Sequence, residues 1–152
     1  MDLQLCTRPI PTAGESLASI VHRAAFANRS SYYDIFKRIG YTEKRLRSHL
    51  VLYDPGTFTE RLASALGISV TELHQRLLSR HAGRAFTPSK GAFGGPLKHT
   101  GVSQVGSAFC PKCVEENHGA WKLEWLLPFV VACSHHGVLL VESCQRCGKA
   151  AG

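Results

Sequence analysis

Three pairs of potential metal ligands, each with two residues between its members, constrain this 152-residue chain more than any other feature. They are Cys110-Pro111-Lys112-Cys113, Cys133-Ser134-His135-His136 and Cys144-Gln145-Arg146-Cys147. Two intervening residues let one tight turn aim both side chains, and its own backbone amides, at a single ion. Two such knuckles complete a tetrahedron around zinc. A redox dithiol is the other use of a Cys-x-x-Cys pair, but no βαβ pattern surrounds these, so the spacing predicts zinc. Six ligands exceed the four that one ion takes. Cys110, Cys113, Cys133 and His136 make one set and leave Cys144 and Cys147 as half of a second site. Cys110, Cys113, Cys144 and Cys147 make a competing set, and His135 can stand in for His136. Cys6 lies far from the pairs and reads as a small buried apolar residue.

The stretches between the pairs, residues 121–128, 129–132 and 138–142, are apolar, and the last two are β-branched. They predict short strands, so residues 108–152 are expected to form a zinc-ribbon-like α+β zinc-finger unit. Upstream, residues 83–107 carry six glycines and two prolines, a composition for a linker or long loop and not for a helix. No internal repeat is apparent.

Residues 1–82 read as a mainly α domain. Thr12-Ala13-Gly14-Glu15, Thr57-Phe58-Thr59-Glu60 and Ser69-Val70-Thr71-Glu72 each match the capping box that opens a helix. After the first, Leu17, Ile20, Val21 and Ala24 keep helical spacing until about Asn28. Ser30 or Ser31 caps a second helix, 32–39, closed by Gly40. Thr42 opens a third with Leu46, Leu50 and Tyr53 on one face. A fourth runs 58–66, and a fifth follows Ser69 with Leu73, Leu77 and Leu78 inward. Ala63, Gly67 and Ile68 suit the crossing and turn of a helix-turn-helix over residues 57–80.

Charge divides the chain. Residues 1–90 hold thirteen basic and seven acidic residues, whereas 91–152 hold five and four, within an overall net charge of +7. Such a balance favours an acidic partner, nucleic acid first. From Leu73 to Val114 there is no acid at all, but there are Arg76, Arg80, Arg84, Lys90, Lys98 and Lys112. On the helix-turn-helix, Thr71, His74, Gln75 and Arg76 are the candidate base contacts. Arg80, Arg84 and Lys90 are candidate phosphate contacts. Phe86 and Phe93 are expected to anchor the loop.

Several classes are disfavoured. No apolar run approaches the ~18 residues of a membrane span, and the first residues lack signal-peptide order, so a cytoplasmic protein is expected. His-x-Glu ahead of Pro-Cys-x-x-Cys, His-Glu-x-x-His, the Walker glycines and Gly-x-Ser-x-Gly are all missing. Glu115 and Glu116 follow the first knuckle but, as adjacent carboxylates, read as surface residues. No catalytic residue is predicted, and the chain is expected not to be an enzyme.

The opening Arg8-Pro9-Ile10-Pro11-Thr12-Ala13-Gly14-Glu15-Ser16-Leu17-Ala18-Ser19, with Arg23 and Asn28, resembles the N-terminal signature of the TniQ family. Phe109-Cys110-Pro111-Lys112-Cys113, Trp125, Cys133-Ser134-His135-His136-Gly137, Leu140 and Cys144-x-x-Cys147-Gly148 resemble its zinc-binding half. Many members continue past the equivalent of Cys147 with another cysteine pair that closes a second zinc site. This resemblance implies a non-catalytic target-selection adaptor of a bacterial transposon, nucleoid-associated and free of membrane. It would link target DNA, or an RNA-guided CRISPR effector complex, to an AAA+ ATPase of the TnsC/TniB type that recruits the transposase, with a homo-oligomer as an open option. A stand-alone helix-turn-helix and zinc-ribbon transcription regulator is the alternative.

Overall fold

Ser16, and not Thr12, starts the first helix. In the computed structural model, which describes residues 4–41, 58–81, 84 and 107–150, α1 spans Leu17–Ala27 and the Ser16 hydroxyl accepts from the Ser19 amide at 3.2 Å. The box expected at Thr12–Glu15 forms only as a turn: the Glu15 carboxylate accepts from the Thr12 amide at 2.9 Å. Its displacement from the helix has a cause. The Glu15 side chain is fully buried, and Arg23, two turns into α1, donates to both of its oxygens at 2.9 Å. The Ser19 hydroxyl adds a third donor at 2.6 Å. Glu15 is therefore the hub of a clasp that folds the N-terminal segment onto α1.

Two further residues close that clasp. Asn28, at the end of α1, accepts from the Thr7 amide at 3.0 Å and donates to the Thr7 carbonyl at 2.7 Å. Arg76, from the far end of the unit, donates to the carbonyls of Thr12 and Glu15 at 3.0 and 3.1 Å.

The remaining helices follow local signals. Ser31 caps α2 (Tyr32–Arg38) in a complete capping box with Asp34, and Gly40 behind it takes φ +84°. Those bonds from the Ser31 hydroxyl and amide hold the Asp34 carboxyl below its ordinary value. α3 (Thr59–Leu66) has Phe58 at its N-cap with no side-chain bond; Thr57, which the expected box requires, lies outside the described residues, as does the helix expected after Thr42. α4 (Val70–Gln75) opens on the Ser69 hydroxyl, which accepts from the Glu72 amide at 3.0 Å.

α4 ends sooner than the Leu73-Leu77-Leu78 spacing predicts. The Arg76 carbonyl accepts from the Leu17 amide at 3.0 Å, and its guanidinium is held at Thr12 and Glu15. This tertiary pull takes the chain out of the helix, and a 3₁₀ turn (Leu78–His81) follows. Leu77 and Leu78 stay fully buried all the same.

Two compact units result, Met1–Arg80 and His81–Gly152. In the first, α1 packs on α2 and α3, and α3 packs on α4. Its core holds Leu17, Ile20, Val21, Ala24, Ile35, Phe36, Ile39, Leu62, Leu66 and Leu73, with Tyr41 set edge-on to Phe36 and Phe58. Gly67 joins α3 to α4 at φ +71°, where the Arg8 side chain lies across it. Cys6 is exposed and not buried.

In the second unit, Cys110 caps α5 (Pro111–Glu116), with Pro111 in the first turn where its missing N–H costs nothing. The strand expected over 121–128 is instead a 3₁₀ turn (Leu123–Leu126) that buries Leu123 and Trp125. The apolar runs at 129–132 and 138–142 form only isolated bridges, Ala132 to Leu139 and Phe109 to Val141. Knuckle turns consume the neighbouring amides, so no ladder extends among the described residues. The protein is mainly helical with few strands. The linker expected at 83–107, with Lys90, Lys98, Phe86 and Phe93, lies almost wholly outside the described residues.

Two stability outcomes follow from the first unit. Arg23→Ala strips a buried carboxylate of its ion partner and is expected to lower unfolding free energy by about 3 kcal/mol in urea denaturation; a loss under ~0.5 kcal/mol would show that Glu15 is not organising this unit. Gly67→Ala is expected to cost about 1 kcal/mol by the same measurement, since a left-handed φ is strained for any side chain with a Cβ. The exposed Arg8 can swing away, so an effect well above that would point to a packing role.

Candidate metal centre

Cys110, Cys113, Cys133 and His136 converge. Their Sγ atoms and one ring nitrogen all lie within 4.8 Å of one another. Nδ1 of His136 is 3.2 Å from Cys113 Sγ, 3.4 Å from Cys110 Sγ and 3.6 Å from Cys133 Sγ, and the Cys113 and Cys133 sulfurs are 3.5 Å apart. A tetrahedral ion with bonds of about 2.0–2.3 Å would need ligand separations of roughly 3.4–3.8 Å. The donor set and its spacing therefore fit one metal ion.

Local structure explains the convergence. On the first knuckle, Cys110 ends an extended segment and Cys113 sits one turn into α5, so both sulfurs face the same side. On the second, the Gly137 amide donates back to the Cys133 carbonyl at 2.8 Å and the Cys133 amide donates to the Val138 carbonyl at 2.8 Å. Gly137 takes φ +63° there, which closes the turn. Packed around the three buried thiols are Trp125, Phe109, Trp121, Val130, Val138 and Leu140. Trp121 lies edge-on to Trp125 at 5.6 Å and against Phe109 at 4.8 Å. Phe129, Val131 and Leu139, by contrast, are exposed.

Proton affinities within the group are divided. Burial pushes the Cys113 thiol up to about 12, and hydrogen bonds with Cys133 and Cys110 add to this. Burial acts on Cys133 in the same sense, but the amides of His136 and His135 and the His136 ring outweigh it and bring that thiol down to about 6. His136 is raised above its ordinary value by hydrogen bonds with Cys133 and Glu116. Loading an ion requires all three thiols as thiolates and a neutral ring, so protons leave as metal enters and acid opposes uptake.

The competing four-cysteine set does not assemble. Among the described residues, Cys144 and Cys147 join no group of three or more ligands. Nor does His135 replace His136: it stands exposed, its ring edge-on to that of His136 at 4.6 Å.

A repeat emerges where none was expected. The Gly148 amide donates to the Cys144 carbonyl at 2.7 Å, the Cys144 amide donates to the Lys149 carbonyl at 2.9 Å, and Ser143 bridges Ala150. With Gly148 at φ +69°, this is the Cys133 knuckle over again, eleven residues on. Amides of Cys147 and Arg146 lower the Cys144 thiol, just as those of His136 and His135 act on Cys133. The signal was present in sequence as Cys-x-x-His-Gly followed by Cys-x-x-Cys-Gly.

Glu116 is the residue that sequence reasoning missed. Its Oε1 lies 3.0 Å from His136 Nε2, although the side chain is half exposed. The spacing Cys110, Cys113, Glu116 puts all three on one face of α5 and could have found it.

The candidate nucleic-acid residues are spread differently. Thr71, His74, Gln75 and Arg80 are exposed on and just after α4, with Arg80 donating to the Gln75 carbonyl at 2.8 Å. Arg76 is not available as a base contact, because its guanidinium is directed at Thr12, Glu15 and, at 2.7 Å, the Glu72 carboxylate. Arg84 is exposed and belongs to the second unit, while Lys90 lies outside the described residues. No helix among the described residues is long and apolar enough to cross a membrane.

Comparison with known proteins adds one finding. The TniQ family profile matches residues 6–140, a span that takes in the Glu15 clasp and all four metal ligands but stops short of Cys144. No curated protein matches. The match suggests a transposon-associated target-selection protein, and with most of its length matched the chain belongs to the TniQ family.

Proposed function

We propose that this protein is the target-selection adaptor of a bacterial transposon, joining a target to an AAA+ ATPase of the TnsC/TniB type that recruits the transposase. The observation that carries the reading is a TniQ match running through both the helical unit and the four-ligand group. In this reading the ion is zinc, for which three thiolates and one imidazole are an ordinary structural set. Four protein ligands leave no coordination position for substrate water, which suits a structural and not a catalytic role. Zinc supplies folding free energy there; Cys110, Cys113, Cys133 and His136 hold it, and the tryptophans keep water from the sulfurs. Cys144 and Cys147 form a preformed half of a second site, whose remaining ligands lie elsewhere.

The helical unit contributes a surface. α3, the Gly67 turn and α4 serve as a helix-turn-helix in which Thr71, His74 and Gln75 approach base edges. Arg80, Arg84 and Lys90 meet phosphates, and Arg76 keeps α4 attached to the clasp. One six-residue helix covers too few base pairs to single out a site against ~10⁶ or more competitors. Specificity then comes from a partner, whether a DNA-bound protein or an RNA-guided CRISPR effector complex, or from further copies of the chain.

Metal content separates the two cysteine groups. Native mass spectrometry is expected to find zinc held by the wild type, lost from Cys113→Ser, and kept at the first site in Cys144→Ser; retention by Cys113→Ser would refute the assigned ligand set. For function, the purified protein is expected to bind duplex DNA only at micromolar level, with a log–log salt slope that drops by roughly 0.9 for each of Arg80→Ala and Arg84→Ala. It should co-purify with its cognate AAA+ ATPase. Nanomolar binding to one operator by the protein alone, without ATPase association, would establish the transcription-regulator reading instead.

A further inference from the structure

We infer that Glu116 is the positioning residue of the metal centre, fixing the ring of His136 so that Nδ1, and not Nε2, meets the ion. The inference rests on the metal reading above. The Glu116 carboxylate sits 3.0 Å from Nε2, while Nδ1 of the same ring faces the three sulfurs at 3.2–3.6 Å. A neutral imidazole carries one proton. If Nε2 donates it to Glu116, the Nδ1 lone pair is left for the metal; the other tautomer would place a proton where the ion belongs. The carboxylate also raises the electron density that the ring offers through Nδ1.

Placement on α5 gives the contact a second consequence. Cys110, Cys113 and Glu116 recur every third residue, so one short helix presents two ligands and the orienting carboxylate on one face. Through Glu116, the first knuckle holds the imidazole of the second at its outer nitrogen while its sulfurs approach the inner one. His135 completes the restraint, its ring edge-on to His136 at 4.6 Å and limiting rotation. Glu115, adjacent in sequence and also exposed, makes no hydrogen bond or ion pair with His136, whose Nε2 meets Glu116 instead.

The test uses the full chain with zinc ion as the probe. Glu116→Ala, Glu116→Gln and Glu115→Ala are compared with wild type by competition against a chromophoric chelator, and the zinc-loaded proteins are examined by NMR of the histidine side chains. Zinc affinity should fall about 10–100-fold for Glu116→Ala, recover in part for Glu116→Gln, whose amide oxygen still accepts, and stay within twofold for Glu115→Ala. The Nε2–H proton of His136 should be visible in wild type and Glu116→Gln and lost to exchange with water in Glu116→Ala. Equal affinity and an unchanged Nε2–H signal in Glu116→Ala would overturn the inference, as would an equal loss in Glu115→Ala, which would reduce it to unspecific charge. A wild-type chain that takes up no zinc would overturn the metal reading itself and this inference with it.

Discussion

Among its described residues the second unit buries few large apolar side chains, and the cysteine group sits at the centre of those it does bury. Among the described residues, one buried cluster consists of Cys110, Cys113, Cys133 and Trp125, backed by partly buried aromatic and branched residues, and Ala120, Leu123 and Leu127 are buried besides. A bare thiol packs as a small apolar residue and offers little area to bury. An ion bound by all three, and by His136, would make up for that small area with metal–ligand bonds. Everything local serves it. Amide bonds close the knuckle, Gly137 adopts a left-handed φ, Pro111 starts α5 at the right point, and the tryptophans exclude water from the sulfurs.

The first unit is held by different physics. It has an apolar core, and the one buried ionisable side chain among its described residues, Glu15, is matched. Glu15 accepts from Thr12, Ser19 and Arg23, while Arg76 secures the same segment through backbone carbonyls. All of these but Arg76 lie in the sequence signature that resembles TniQ proteins, so its Gly14-Glu15-Ser16 motif acts as an architectural clasp. Breaking such a network is expensive because each buried donor and acceptor loses its only compensation. α4 is thereby fixed to the unit at its C-terminal end.

Much of this was legible in sequence where the signal is local. Ser31 before a short apolar run predicts α2, and the spacing of Leu17, Ile20, Val21 and Ala24 predicts α1. Cysteine spacing picks out the ligand pairs before any fold is known. Long-range bonds account for what was not legible. Nothing local says that Glu15 will turn inward to Arg23 and shift the helix start to Ser16, or that Arg76 will leave the exposed face to bind Thr12 and end α4 early. Choosing among six ligands likewise depends on which turns meet in space. The strand expected at 121–128 has another cause: Trp125 packs against the buried thiols and Leu123 is buried too, and a 3₁₀ turn buries both as well as a strand would.

Two units stabilised by separate means should respond separately to metal, and this is the central claim. Backbone amide NMR spectra of the intact chain, recorded while zinc is withdrawn with a chelator and then restored, test it most directly. Signals from residues 107–150 should collapse together and return together at one equivalent of zinc, while those of residues 4–41 and 58–80 hold their positions. Persistence of the dispersed 107–150 signals in metal-free protein, or collapse of both units at once, would contradict the account.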